Sequence, residues 1–209
     1  MKIISVESLA FPEVKVIRFG RFSDERGYFT EPYRQSDFKE HPQLEHIFKN
    51  LSFVQMNESY SREKVLRGLH FQWLPPQGKL IRTFYGRMID LVMDIRKNSP
   101  NYGKIIAYDM SESKTNNYSE WIWVPFGFAH GNFFTEETRI EYYCTGEYNP
   151  NCEAGINPLS EEIDWSLCDK NIKNTFDSLK DSFLISEKDR KAMSLTEWGK
   201  DERSNYFMI

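Results

Sequence analysis

The chain has 209 residues, 28% charged and 40% hydrophobic, with a formal net charge of −4. That length suits one domain with its own core, and an acidic total without a Lys/Arg run argues against nucleic acid as a partner. Cys144, Cys152 and Cys168 are odd in number and lack CxxC spacing, which argues against a disulfide framework or a zinc site; no stretch reaches the apolar length of a membrane span, and Glu7 interrupts the short apolar run after Lys2, so the expected setting is cytoplasmic, without a leader.

Charge is unevenly spread. Through Lys97 there are 16 Lys and Arg against 12 Asp and Glu, and from Asn98 onward 11 against 19. A basic first half suits an anionic ligand such as a diphosphate, or a solvated surface.

Val14 to Phe19 reads as the first strand, ended by Gly20. Asp24-Glu25-Arg26-Gly27 reads as a turn, with Tyr28-Phe29-Thr30 the strand leaving it. Arg26 and Glu31 are either site residues or ordinary turn charges. Ser36 to Asn50 carries helical spacing through Phe38, Leu44, Ile47 and Phe48, but Pro42 predicts two short pieces. In Phe53 to Ser59, Gln55, Asn57 and Ser59 share one face, toward solvent or a wet cavity.

The stretch Val65-Leu66-Arg67-Gly68-Leu69-His70-Phe71-Gln72 follows. Strand alternation predicts Gly68, His70 and Gln72 on one face and Leu69 and Phe71 on the other. A polar face opposite an apolar one suggests the wall of a ligand-lined barrel, although a structural histidine fits the same pattern. Pro75-Pro76-Gln77-Gly78 is a turn, Lys79 to Phe84 a strand, and Gly86 the next turn. Met88 to Ile95 alternates cleanly, with Ile89, Leu91, Met93 and Ile95 opposite Asp90 and Asp94. Strands are expected over Ile105 to Met110 and Trp121 to Val124, separated by a polar loop from Ser111 to Ser119.

Pro125 to Gly131 makes a tight turn leading to His130, which is either structural support or a substrate contact. In Arg139 to Thr145, charged Arg139 and Glu141 predict that Ile140, Tyr142 and Cys144 point inward. From Asn149 strands give way to loops and short helices, and Ser186-Glu187-Lys188-Asp189 has capping-box spacing with Asp in place of Glu. About nine short strands and a helical tail imply an all-β fold, a jelly-roll barrel or sandwich with short C-terminal helices. The expected division is a single domain, 1–185 mostly jelly roll and 186–209 a helical tail, and strand edges long enough to pair suggest a homodimer.

These blocks together resemble the nucleotide-sugar 3,5-epimerases of the cupin superfamily, the dTDP-4-dehydrorhamnose 3,5-epimerase-like group. The matching pieces are Asp24 to Phe29, Phe53 to Asn57, Val65 to Gln72, Gln77-Gly78-Lys79, Asp94-Ile95-Arg96, Pro125 to Gly131 and Ser186 to Asp189, in family order. The resemblance implies a dimeric cupin jelly roll with no cofactor and no metal. Its substrate would be a nucleotide-diphosphate 4-keto sugar, dTDP-hexose or GDP-heptose type, in deoxysugar or cell-surface polysaccharide synthesis. It implies that His70 is the base and Asp189 the acid that orients it. Tyr142, reading back from Tyr148-Asn149-Pro150, is then the proton donor, and Lys79 lies beside the ketone. It implies that Arg26, Glu31, Gln55, Asn57, Arg67, His130 and Tyr148 bind or line the substrate site, with the Arg26 turn able to reach the partner's site. Two features depart from the family pattern. Glu147 precedes Tyr148 where a second tyrosine is common, and a glutamate cannot stack on a base. The 111–119 loop and the tail after Thr196 are also longer than in the standard enzyme. Some relatives invert only C3 or only C5.

That chemistry suits these residue types. A carbon beside a ketone loses its proton because the charge spreads onto the ketone oxygen. The site then needs a base on one face, a cation or donor at that oxygen, and an acid on the other face. Imidazole, with an unperturbed pKa of ~6.5, suits the base, and a carboxylate holding its second nitrogen fixes the ring. Two alternatives belong to other classes. A metal-dependent cupin needs a second histidine where Gln72 stands. A catalytically silent sugar binder would have no use for an oriented base.

Overall fold

The computed structural model describes residues 2–112 and 116–208, so part of the expected 111–119 loop lies outside the described residues. In chain order the strands are β1 (Ile3–Ser8), β2 (Lys15–Gly20), β3 (Phe22–Asp24), β4 (Gly27–Phe29), β5 (Gln55–Ser61), β6 (Val65–Gln72), β7 (Lys79–Tyr85), β8 (Arg87–Asp94), β9 (Ile105–Ser111), β10 (Tyr118–Val124), β11 (Phe128–Phe134), β12 (Thr138–Cys144), β13 (Glu153–Gly155) and β14 (Leu184–Ile185). The helices are α1 (Gln35–Glu40), α2 (Glu45–Phe48), α3 (Lys170–Leu179), α4 (Glu187–Arg190) and α5 (Leu195–Lys200). The two pieces expected around Pro42 are α1 and α2.

Two main sheets form the sandwich. One has the order β1-β2-β10-β7-β12-β5, and the other β13-β6-β11-β8-β9, with β14 added parallel to β6. The inner faces meet in a core of Ile81, Ile122 and Ile140 from the first sheet against Met88, Val92, Phe128 and Phe134 from the second. Inward-pointing Ile140 and Cys144 match the alternation of β12.

Both outer faces are covered as well. Phe38, Leu44 and Phe48 of the α1–α2 segment pack on Ile17, Leu80, Trp121 and Trp123. On the other side, Ile89, Leu91 and Phe71 are covered by Phe176, Trp198 and Phe207 of the C-terminal segment. This double coverage explains why so much of β8 and β11 is buried: apolar residues on both faces replace simple alternation. Among the described residues, no helix is long and apolar enough to cross a membrane.

In β6 Gly68, His70 and Gln72 face the cavity and Leu69 and Phe71 the outer core, as the alternation predicts, but the ladder is uneven before His70. His70 pairs with His130 and Arg67 with Asn132, so Gly68 and Leu69 stand against the single residue Gly131 and the ladder bulges there. The bulge brings Arg67 to the cavity alongside His70 and sends Leu66, Leu69 and Phe71 to the outer core. Two glycines permit it. Gly68 has φ +103°, and a Cβ on Gly131 would stand 2.4 Å from the Arg67 carbonyl oxygen.

Candidate active site

The sandwich is hollow beside the bulge. The main lobe, ≈ 360 Å³, is walled by Arg67, His70, His130 and Asn132 of one sheet, Lys79 and Tyr142 of the other, and Asp189. A second lobe of ≈ 240 Å³ shares His70, Lys79 and Tyr142, and adds Gln55, Asn57, Cys144, Tyr148 and Glu153. His70 and Tyr142 therefore reach one cavity from opposite sheets.

His70 is held by its ring. Its Nε2 lies 2.6 Å from Asp189 Oδ1, 119 residues away in sequence. β14 brings the chain there: Leu184 donates its N–H to the Lys64 carbonyl and the strand runs beside Val65 and Leu66, so α4 starts next to the bulge. Ser186 accepts the Asp189 N–H at 3.1 Å, the first half of the capping box. The second half is missing. The Asp189 carboxylate turns away from its own helix and takes His70 and, at 3.3 Å, the Gly68 N–H. Burial opposes its ionisation, but the His70 hydrogen bond and charge, with Gly68 and Ser186, hold its pKa below the usual carboxylate value. Asp189 is an anion at neutral pH.

Lys79 and Tyr142 occupy the facing wall. Burial lowers the Lys79 pKa against the opposing pull of Cys144, Glu153 and Asp90, and its ammonium has no hydrogen-bond or ion-pair partner among the described residues. Burial raises the Tyr142 pKa, with Cys144 adding and Arg67 and Asn57 opposing, so the phenol keeps its proton at neutral pH. Arg67 donates to Ser61 Oγ and the Tyr60 carbonyl, and no carboxylate pairs with it among the described residues.

The polar rim is tied together. Gln55 Nε2 donates to Asn57 Oδ1 at 2.9 Å, and Gln55 Oε1 accepts the Tyr148 N–H at 2.8 Å. Tyr148 Oη and Lys188 Nζ both reach Glu153 Oε2, at 3.1 and 2.6 Å. His130 lines the main lobe and bonds Asp90 Oδ1 through Nε2 at 2.7 Å, so it is both supported and exposed to a ligand. Gln72 is spent on structure: its amide donates to the Pro75 and Glu147 carbonyls and accepts the Asn149 N–H. Among the described residues, no group of three or more His, Cys, Asp or Glu is placed to hold a metal ion.

Two of the expected residues lie elsewhere. Arg26 sits on the β3–β4 turn, its side chain 85% exposed and paired with Asp24, and Glu31 pairs with Arg34. Neither lines its own chain's cavity. Conversely, Asn132, Glu153 and Lys188 line the cavity without having been expected to. Glu153 and Lys188 stand in loop-rich sequence with no period to betray a face, and Asn132 is hidden in an apolar strand.

A family model described as dTDP-4-dehydrorhamnose 3,5-epimerase matches residues 8–197. The dTDP-4-dehydrorhamnose 3,5-epimerase of Methanothermobacter thermautotrophicus is 39% identical over 180 residues, 84% of this chain and 86% of that enzyme. The enzyme of the same name from Salmonella typhimurium is 37% identical over 186 residues, 85% of this chain and 96% of that one. Among solved structures, the dTDP-6-deoxy-D-glucose-3,5-epimerase of Legionella pneumophila in complex with dTDP-4-keto-L-rhamnose superposes with a TM-score of 0.75 at 32% identity, over 92% of this chain and 93% of that chain.

Proposed function

Because the chain belongs to the dTDP-4-dehydrorhamnose 3,5-epimerase family, a group of isomerases, we propose that it inverts C3 and C5 of a dTDP-linked 4-keto-6-deoxyhexose, with His70 as base and Tyr142 as acid. The observation that carries the reading is the placement of these two side chains on opposite sheets around one cavity, with Lys79 in the same wall as Tyr142.

His70 donates from Nε2 to Asp189, so the neutral ring carries its lone pair on Nδ1. That nitrogen takes the proton from the carbon next to the C4 ketone. The C–H electron pair moves into the ring and the carbonyl pair onto oxygen, where the unpaired Lys79 ammonium meets the charge. Asp189 stabilises the imidazolium that results. The enolate collapses when the Tyr142 hydroxyl gives its proton to the same carbon from the other face. Proton return from His70 would restore the substrate, so two groups on opposite faces are required. C3 and C5 are both adjacent to C4, and one base–acid pair serves both once solvent has taken the proton from His70 and returned one to the Tyr142 phenolate.

Arg67, with Lys188 at the rim, would take the diphosphate, for which guanidinium geometry is well suited. Gln55, Asn57 and Tyr148 would line the nucleotide end. The proposed assembly is a homodimer. It is supported by the exposed Phe22, Tyr28 and Phe29 of the β3–β4 hairpin and by Arg26, which points away from its own cavity. The free Cys144, Cys152 and Cys168 suit a reducing compartment.

The test is proton NMR of dTDP-4-keto-6-deoxyglucose with the protein in deuterated water, with GDP-linked and heptose counterparts alongside. Deuterium at C3 and C5 with inversion is expected for the dTDP sugar. Exchange at one carbon alone would reduce the activity to single-centre epimerisation. Binding without exchange at either would leave a silent sugar binder and overturn the proposal.

A further inference from the structure

We propose that Asn132, backed by Asp90, reads the C2 hydroxyl of the substrate sugar. The inference rests on the epimerase reading above and adds a specificity-determining contact to it.

Asn132 lines the main lobe and is 4% exposed, yet its amide forms no hydrogen bond with any described residue, and Oδ1 is wholly buried. Directly across the ladder on β8 stands Asp90, 0% exposed. Its Oδ1 is taken by His130, while its Oδ2 is buried and unpartnered. Buried polar atoms are ordinarily paired, and two orphans in one cross-strand pair at the edge of a cavity mark a place that something else completes.

The chemistry of the missing group follows from the donors and acceptors. As it stands, Asn132 offers the cavity an N–H. Turned end for end, it offers the cavity an oxygen. A hydroxyl, both donor and acceptor, answers either setting. A phosphate, an acceptor alone, answers only one and faces the Asp90 charge.

The ladder register says which hydroxyl. Asn132 pairs with Arg67, and His130 pairs with His70. Asn132 thus stands on the Arg67 side of His70; with C3 at His70 and the diphosphate-bearing C1 at Arg67, the hydroxyl on that side of the ring is the one on C2.

The experiment compares dTDP-4-keto-6-deoxyglucose with its 2-deoxy analogue, using wild type, Asn132→Leu and Asn132→Ser, by deuterium uptake at C3 and C5 and by kcat/KM. Wild type should favour the 2-hydroxy sugar by about 10²-fold or more, since a site built to bond a hydroxyl rejects the analogue lacking it. Asn132→Leu should bring that ratio to within about threefold of unity. Asn132→Ser, smaller and still polar, should retain part of the preference and supplies the test if the leucine variant fails to fold. An unchanged ratio in the folded variants would overturn the inference, leaving no more than an ordered water at Asn132. Weaker affinity of Asn132→Leu for dTDP, which has no sugar, would make Asn132 a phosphate contact and also overturn it. Normal wild-type exchange in those cases would leave the epimerase reading standing. No exchange by wild type with either sugar would overturn both.

Discussion

Asp189 and His70 meet at 2.6 Å through Nε2, and the same carboxylate takes the N–H of Gly68, the bulge residue two positions before that histidine. A bulge leaves a backbone donor outside the ladder, and here that donor helps to fix the carboxylate that fixes the ring. Strand irregularity and imidazole orientation are thus one feature.

Asp189→Asn keeps the size of the side chain but removes its charge. The amide still reaches the imidazole, yet it no longer stabilises the protonated ring and can hold the wrong tautomer. A fall in kcat of about 10²–10⁴ is expected, with KM moved only a few-fold, by analogy with a histidine–acid pair elsewhere. The pH dependence of stability should change too. The folded pKa of Asp189 lies below its unfolded value of ~3.9, so its contribution is present above that value and is lost as pH falls through the lower folded one. In acid melts, the stability gap between wild type and Asp189→Asn should close. A constant gap from pH 7 to pH 2, or a kcat within a few-fold of wild type, would contradict the assignment.

Tyr142→Phe separates removal of a proton from its delivery. His70 and Lys79 remain, so deuterium exchange at the original face should continue, while inversion falls by about 10²-fold or more. The phenol is raised in pKa by burial, so wild type should keep its donor through neutral pH. NMR in deuterated water, scoring exchange and stereochemistry at each carbon, distinguishes the two. Intact inversion in Tyr142→Phe would assign the acid role to another group.

The architecture and one half of the site were legible because their signals are local. Charged Arg139 and Glu141 put Tyr142 on the inner face, and Pro42 divided the helical segment. β1 escaped because Ser5, Glu7 and Ser8 dilute its apolar character, and it is held by pairing with β2. Alternation places Gly68, His70 and Gln72 opposite Leu69 and Phe71 as found, but it gives no sign that Arg67 also reaches the cavity, since that needs an uneven ladder permitted by two glycines. Spacing alone favoured a capping role for Asp189, and its site role came from the family resemblance; a contact across 119 residues leaves no periodic trace. Asn132 is buried in a strand covered on both faces, where polar and apolar positions no longer alternate.

That irregularity makes Gly131→Ala a sharp probe. The new methyl would stand 2.4 Å from the Arg67 carbonyl and 2.8 Å from Leu69 Cδ2, and backbone cannot yield as a flexible side chain does. A loss of about 2–4 kcal/mol in unfolding free energy is expected, in the range for strain at a packed backbone site. Denaturant melts measure it. Activity should fall in the surviving folded fraction as well, because Arg67 and His70 share the shifted strand. A variant as stable as wild type would mean that β6 and β11 do not approach this closely.

Lys79→Met trades activity for stability. The ammonium is the charge proposed for the enolate oxygen, and losing one such donor costs about 10²–10³ in kcat. It is also a half-buried cation with no partner among the described residues, and burial lowers its pKa. Below the folded pKa the native state bears the whole cost of that buried charge. As pH rises from there toward the unfolded value of ~10.4, the native state gives up the proton first and the cost is relieved. The methionine variant should therefore melt higher than wild type at neutral pH, by about 2–4 °C for each 1 kcal/mol gained, with the advantage shrinking in alkali. Wild-type kcat should decline as pH rises through that lowered pKa, below the pH at which an ordinary lysine titrates, because a neutral amine gives the oxyanion no charge. A lower melting temperature for Lys79→Met at pH 7, or a wild-type kcat unchanged through that range, would remove Lys79 from the role given to it here.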